Sequence, residues 1–395
     1  MPNDTLTIYL VCPEFPPVQT GGGAYVYRYL AEEWSEHSFV VVLATDYTQS
    51  GIKKGSEGQL TIIPLPLVRV TGDPPELIAR MPPTQRAFVR MLRTVVGARL
   101  RPKTKHQIAN LHGLGHPGVD IAGFLFWLVR IPFVVTVHGF PGSHSRTIAS
   151  RIYRVYERLI TTWILGRAAA VIAISADVRR LLMERYIDSE VIANAIRVDT
   201  EVGDESVSVG EKRQLLCVGR LAADKGFQYA IQALERLTSE YPELSLRILG
   251  DDFGAQADLL RGIPSSVSHR VVFGGRVERK SVLREMSSAV AVLIPSLNEP
   301  FGLVALEALS VGAVVIASRS GALPEIIQHE ENGLLVDTRS ADGIATAVRR
   351  ILEDKDLEKR LRRNAPKRAR DFSTETAAAR YIGIFRGVLH TDDLK

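Results

Sequence analysis

Short apolar runs rich in β-branched residues recur along the chain, with amphipathic stretches between them. The series opens with LTIYLVC at 6–12, an amphipathic stretch near 23–36 and FVVVLAT at 39–45. Strand, helix, strand predicts a parallel sheet, because parallel neighbours need a crossover and end up covered on both faces. The pattern continues through IANLHG, GVDIAGFLFWLVR, PFVVTVHG, a long helix from about 145 to 165, and AAAVIAIS, where Ser175 is placed to cap the next helix. Together these predict one doubly wound α/β domain over residues 1–198. The most apolar part, Ile121 to Val137, is interrupted by Arg130 and Pro132, so a buried helix followed by a buried strand is expected there, not a membrane span.

From 199 to 212 the sequence DTEVGDESVSVGEK turns polar and acidic, as an interdomain linker does. A second βα series follows over 213–372: QLLCVGRL, a helix at 226–239, LSLRILGD, a helix near 255–262, HRVVFGG, a helix at 278–288, VAVLIPS, a helix at 302–311 and AVVIASR. This is a second doubly wound domain. Beyond Ala341 the pattern is helical; the basic cluster KRLRRNAPKRAR reads as a solvated helix face, and 373–395 as a C-terminal helix able to cross back to the N-terminal domain.

Composition changes this picture little. A length of 395 residues suits two domains of roughly 150 to 200 residues. With 46% hydrophobic and 24% charged residues, a disordered or fibrous chain is excluded. The two cysteines, Cys12 and Cys217, each lie inside an apolar run, which argues against a disulfide framework or a structural zinc and fits a reducing cytoplasm. MPNDTLTIYLVCPEF has no basic leader and only a short apolar run, so a cytoplasmic protein is expected.

Charge changes it more. The net charge is +5, and residues 1–200 carry 22 Lys/Arg against 16 Asp/Glu while the remainder carries 27 against 28. Between Leu77 and Tyr156 the one acidic residue is Asp120, whereas eight basic residues crowd the stretch 80–105. Arg86, Arg90 and Arg93 fall at helical spacing beside an apolar stripe of Phe88, Met91, Leu92, Val95 and Val96. One reading is a helix lying on an anionic membrane surface, peripheral on its inner face; the other is a helix packed on the sheet with its arginines in solvent. Nucleic acid is not expected as a partner, since no recognition motif or aromatic platform accompanies the charge.

Candidate chemistry sits in the loops after strands, where ligands of open α/β sheets bind. After the first strand, three glycines at the mouth of a helix, Gly21, Gly22 and Gly23, offer free amides to an anion, or else form a flexible loop. A dinucleotide fingerprint is absent, because Val26 stands where its third glycine would be. In the second domain VGRLAADKGF places Arg220 and Lys225 around a turn, suited to a diphosphate or to surface ion pairs. In IPSLNEPFGLVALEAL, Glu299 and Glu307 flank a helix start whose amides at Gly302, Leu303 and Val304 suit phosphate. Carboxylates beside a phosphate are reconciled if they accept hydrogen bonds from sugar hydroxyls while the Arg and Lys balance the charge. Asp251 with Asp252, and His112 with His116, look metal-like, but the histidines fall on an expected loop and not on one helix face, and neither pair is expected to hold a metal.

The ordered set of VVTVHGF, GRLAADKG, the Glu pair with seven residues between, SGALPEII and ENGLLV resembles the retaining GT-B glycosyltransferases of the family 4 type, over most of the chain. The resemblance implies two Rossmann-like domains facing each other across a cleft. It implies a hexose moved from a UDP- or GDP-linked donor to a glycan or lipid-linked hydroxyl, without metal or further cofactor. Glu299 and Phe301 would then lie by the donor sugar, and Glu307 by the ribose. Arg220, Lys225, Gly302, Leu303 and Val304 would hold the diphosphate, with Gly21 and Gly22 opposite. His138 would face the transferred sugar. The usual Asn-Gly before the linker appears as Asn194-Ala195, which weakens a role for Asn194. A glycosyl phosphorylase or sugar-nucleotide epimerase of the same plan, or a non-catalytic sugar-nucleotide scaffold, stays open beside this reading.

Overall fold

The computed structural model describes residues 5–16, 22–45, 60–64, 85–100, 104–139, 155–197 and 213–393. They fall into two compact units, Met1–Asn194 with Thr374–Lys395, and Ala195–Ser373. The residues 198–212, which include the expected linker, and the glycine-loop residues 17–21 lie outside the described part.

In the N-terminal unit the strands are β1 (Leu6–Cys12), β2 (Phe39–Ala44), β3 (Leu60–Pro64), β4 (His106–His112), β5 (Phe133–Val137), β6 (Ala170–Ala173) and β7 (Glu190–Val191). They form one sheet in the order β3-β2-β1-β4-β5-β6-β7, with every pair parallel. All of β1 is buried, the signature of a strand covered on both faces. Its helices are α1 (Gly23–Ser35), α2 (Gln85–Leu100), α3 (Pro117–Leu128), α4 (Thr162–Leu165, after a π turn at Glu157–Thr161) and α5 (Ala176–Met183), the last capped by Ser175 through its bond from the Val178 amide.

The C-terminal unit has β8 (Gln214–Val218), β9 (Ser245–Leu249), β10 (Val271–Gly275), β11 (Ala291–Ile294), β12 (Val315–Ser318) and β13 (Leu334–Val336), in the order β10-β9-β8-β11-β12-β13, again all parallel. Helices α6 (Phe227–Leu237), α7 (Gln256–Arg261), α8 (Arg279–Ser288), α9 (Leu303–Ser310), α10 (Leu323–Ile326), α11 (Ala341–Glu353) and α12 (Lys355–Arg370) belong to it. The apolar faces of α6 and α11 close one side of this sheet, with Phe227, Ile231, Leu234, Val348 and Ile351 in a single buried cluster with Leu215 and Ile248.

The last helix, α13 (Thr374–Asp393), groups with the N-terminal unit. Trp34 of α1 packs edge-on against Tyr381 and Phe385 at 5.5 and 5.4 Å, and its indole N–H donates to the Ala378 carbonyl at 3.3 Å.

Two elements, α12 and α3, differ from the sequence reading, and in α2 the described residues match the packed one of its two expected arrangements. The basic cluster on α12 is not simply solvated: Leu357, Leu361, Ala365 and Ala369 are buried, and Arg362 and Arg368 reach back to backbone carbonyls of Ala289 and Ile326 at 2.8 and 3.1 Å. Long arginine stems let a highly basic helix cover apolar surface while the guanidinium satisfies carbonyls at element ends. Within 80–105, α2 turns Met91, Val95 and Ala98 inward and leaves Arg93 and Arg99 exposed, so the apolar stripe of its described side chains is used for packing. Finally, α3 is not buried all round: Phe124, Trp127 and Leu128 stand on the surface.

Candidate active site

In a doubly wound sheet, loops diverge where the strand order reverses, and this opens a crevice at the strands' carboxyl ends. In the C-terminal unit the reversal lies between β8 and β11. The β8 loop runs through Arg220 to a 3₁₀ turn, Ala223–Lys225, and enters α6 at Gly226. Gly226 has φ 66°, and a Cβ there would stand 2.1 Å from the Pro295 carbonyl oxygen, so only glycine lets this turn press on the end of β11. The Leu297 amide donates to the Asp224 carbonyl at 2.7 Å, which ties the two loops together.

That tie brings Lys225 to Glu299. The ammonium lies 2.8 Å from Oε2, and the Ser296 hydroxyl donates to the same oxygen at 3.2 Å. Both side chains are mostly shielded, at 17% and 14% exposure, so the pair interacts more strongly than one in open solvent. The backbone around Glu299 is also pinned: its carbonyl accepts from the Ala322 amide at 2.9 Å, and Gly321, at φ 51°, lies so close that a Cβ would reach 2.2 Å from that oxygen.

Next comes the start of α9. Phe301 is buried, and Gly302, in left-handed backbone, caps the helix. The first intrahelical bond runs from the Ala305 amide to the Gly302 carbonyl, so the amides of Leu303 and Val304 precede the ladder and sit at the positive end of the helix dipole. Glu307, one turn on, is held at 3.1 Å by Arg279 of α8, leaving lone pairs of the carboxylate for other donors. The exposed Arg220 guanidinium sits 5.2 Å from the centroid of Phe253.

A second polar cluster closes the carboxyl ends of β4 and β5 in the N-terminal unit. Thr136 donates to Asn110 Oδ1 at 3.0 Å, Asn110 Nδ2 lies 2.9 Å from His112 Nε2, and His112 Nδ1 lies 2.9 Å from His138 Nε2. Because an amide nitrogen only donates, His112 Nε2 accepts, its proton is on Nδ1, and His138 Nε2 accepts in turn. His138 is therefore the Nδ1–H tautomer. Tyr27 of α1 meets both rings edge-on at 5.0 and 5.5 Å, and the Tyr381 hydroxyl is 3.2 Å from Thr136.

Two ends of the chain match known families: residues 20–195 match the glycosyl transferase 4-like domain, and residues 199–368 match the glycosyl transferases group 1. The chain belongs to the GT4-type glycosyltransferases. A glycogen synthase from Mycobacterium tuberculosis is 28% identical over 407 residues, covering 96% of this chain and 94% of its own. A D-inositol 3-phosphate glycosyltransferase from Corynebacterium glutamicum is 25% identical, covering 90% and 92%. Among solved structures, sucrose-phosphate synthase from Thermosynechococcus elongatus superimposes with a TM-score of 0.77 at 21% identity, over 98% of this chain and 99% of its own. The Anabaena protein HepE in complex with UDP gives 0.70 at 16%, over 97% and 100%. These two structures share the GT-B fold with this glycosyltransferase.

Of the residues singled out in the sequence of this glycosyltransferase, Arg220, Lys225, Glu299, Phe301, Gly302, Leu303, Val304 and Glu307 all lie on the two loops and the helix start at the β8/β11 reversal. Gly22 precedes α1 in ordinary helical backbone, at φ −65°, and Gly21 lies outside the described residues. Asn194 is buried at the last position of the N-terminal unit. Asp252 caps the turn into α7, accepting the amides of Gly254, Ala255 and Gln256, and Asp251 pairs with Arg276 at 3.2 Å. No group of three or more metal-ligating side chains occurs among the described residues.

Arg279 was missed and carried no motif. His112 was read only as a metal-like partner of His116, although the sequence held another signal: NLHG and TVHG end neighbouring strands with the same His-Gly pair, and His112 is in register with Thr136, two residues before His138.

Burial pushes His138 down to about 4 and His112 well below the ordinary imidazole range, the latter helped by its neighbour. Both rings are thus neutral in the folded unit, while in the unfolded chain they take a proton near pH 6.5. Between pH 6.5 and about 4 the unfolded state binds more protons, so stability falls as pH falls through that window and is unaffected by these groups above it. For His138 alone the loss is about 3 kcal/mol at the acid end. Thermal melts from about pH 7 to about pH 5 are expected to show this slope, and a His112→Gln/His138→Gln double variant to flatten it. An unchanged slope in the double variant would place the proton uptake elsewhere.

Proposed function

We propose that this glycosyltransferase moves a hexose from a nucleoside-diphosphate sugar, UDP- or GDP-linked, to a hydroxyl of a glycan or lipid-linked acceptor, with retention and without a metal. The observation that carries the reading is the Lys225–Glu299 pair, placed at the β8/β11 reversal beside the α9 helix start. A diphosphate arriving there meets the ammonium, the Arg220 guanidinium and the Leu303 and Val304 amides, which together offset the charge that grows on the leaving group. As phosphate draws Lys225, Glu299 is left to accept from hydroxyls of the transferred sugar, and Glu307, oriented by Arg279, from the ribose. In the N-terminal unit, His138 is assigned to the sugar, donating from Nδ1 in the tautomer its neighbours impose. No side chain is assigned as a covalent nucleophile; departure of the nucleoside diphosphate with attack on the same face fits the groups present. HepE with UDP and with UDP-glucose, and a trehalose-6-phosphate protein from E. coli bound with UDP-2-fluoro glucose, make UDP-glucose the first donor to try.

Donor binding is tested by melting the protein with UDP, GDP, ADP and their sugars, with and without EDTA. A nucleotide at 100 times its dissociation constant adds about 2.7 kcal/mol, or roughly 5 to 10 °C for a unit of this size. One base is expected to shift the melt, EDTA to leave the shift unchanged, and Glu307→Ala to shrink it. Turnover of the donor to an isomer without acceptor would establish an epimerase, and binding without turnover a scaffold.

A further inference from the structure

An apolar surface on the N-terminal unit has no role in the site above. Helix α3 was expected to be buried because its sequence is apolar nearly throughout, yet Phe124, Trp127 and Leu128 are 45%, 42% and 58% exposed. The helical turns at 155–165 extend the same surface with Val155, Leu159 and Ile160. The two parts are joined by rings: Trp163 lies 5.8 Å from Phe124 and 5.2 Å from Trp127, and Phe124 lies 5.8 Å from Trp127. Exposed apolar side chains scattered singly are ordinary, but a contiguous group of this kind marks a surface that is covered in use.

Charge identifies what covers it. Arg130, Arg158 and Arg167 are exposed on the same segments, and Arg167 lies 4.1 Å from the centroid of Trp163 and 5.6 Å from that of Trp127. Of the acidic residues between Pro117 and Ala170, Asp120 is buried and bonded to the Tyr156 hydroxyl at 2.7 Å, and the other is Glu157. On α2, Arg93 and Arg99 add exposed positive charge to this unit. Tryptophan and arginine are the residues that settle at a membrane–water boundary, the ring at headgroup depth and the guanidinium on phosphate. Aliphatic ends among the rings supply the apolar contact that holds such a surface in the outer part of a bilayer.

We propose that the face formed by Phe124, Trp127, Leu128, Leu159, Ile160 and Trp163 docks on an anionic lipid bilayer. It is built on other elements than the basic stretch 80–105, where Met91, Val95 and Ala98 of α2 are buried and Arg93 and Arg99 are exposed. Docking depends on neither donor nor transfer, so its failure and the failure of the proposed reaction are separate results.

The chain carries its own reporter. Of its three tryptophans, Trp34 is buried and Trp127 and Trp163 are on this face. Full-length protein is mixed with vesicles of phosphatidylcholine, with and without phosphatidylglycerol, and followed by co-sedimentation, tryptophan emission and quenching by brominated lipid. Anionic vesicles are expected to sediment the protein, shift emission to the blue and, when brominated, quench it. A Trp127→Ser/Leu159→Ser variant is expected to lose about tenfold or more in vesicle affinity while keeping the melting shift given by the donor nucleotide. The proposal is overturned if wild type ignores anionic vesicles, or if it binds them with emission and quenching unchanged. It is equally overturned if light scattering without lipid shows a dimer that the variant abolishes, which would assign the face to a second copy.

Discussion

Replacing Lys225 by alanine is expected to lower the turnover of sugar transfer by about 10²- to 10³-fold, the usual cost of removing one preorganised donor from a developing negative charge. Two effects of the substitution must be separated. The ammonium is the partner of Glu299 at 2.8 Å, so its loss leaves a shielded carboxylate next to the Ser296 hydroxyl alone, which costs stability. It also removes a cation from the diphosphate, which costs rate. Lys225→Ala/Glu299→Gln relieves the first effect and not the second: its melting temperature is expected to recover toward wild type while turnover stays low. Lys225→Arg, which keeps the charge but exchanges a point cation for a broad fork, is expected to fall between. Turnover within about threefold of wild type in Lys225→Ala would remove the pair from the reaction.

The fold was legible because parallel strands, buried on both faces, write themselves as unbroken apolar runs, as LTIYLVC and VAVLIPS do. Shorter strands did not: β7 has two residues and β13 three, too few for any period to show. The loops of the candidate site were legible as motifs, but their pairings were not, because a pairing is set by strand order. Lys225 meets Glu299 across 74 positions of sequence since β8 and β11 are neighbours in the sheet. His112 joins His138 for the same reason across β4 and β5. Apolarity misled in one place. It says that a helix avoids water and not which neighbour provides the shelter, so α3 read as a core helix while leaving three large side chains outside.

Among the described glycines, the tightest approach of backbone to backbone adjoins Arg220. Gly250, just after β9, has φ 144°, and a Cβ there would stand 1.9 Å from the carbonyl oxygen of Gly219 and 2.7 Å from its carbon. Neither can give way cheaply: the Gly219 amide is bonded to the Leu249 carbonyl at 2.9 Å, the Gly250 amide to Gly275 at 2.8 Å, and the Leu221 amide to Asp251 at 2.8 Å. Gly250→Ala is therefore expected to cost about 4 kcal/mol or more, from a positive-φ backbone that alanine avoids plus a clash with main chain, or roughly 10 °C in the melt of the C-terminal unit. Gly254 supplies the control. Its φ is 89° but nothing lies within 4 Å of a Cβ, so Gly254→Ala carries the conformational penalty alone, about 1 to 3 kcal/mol. If the two variants melted together, the close approach of β8 and β9 would not be what fixes the loop. If they part as expected, the folded fraction of Gly250→Ala should also transfer sugar poorly, because the displaced Gly219 carries Arg220 with it, away from Phe253 and from the phosphates it is proposed to hold.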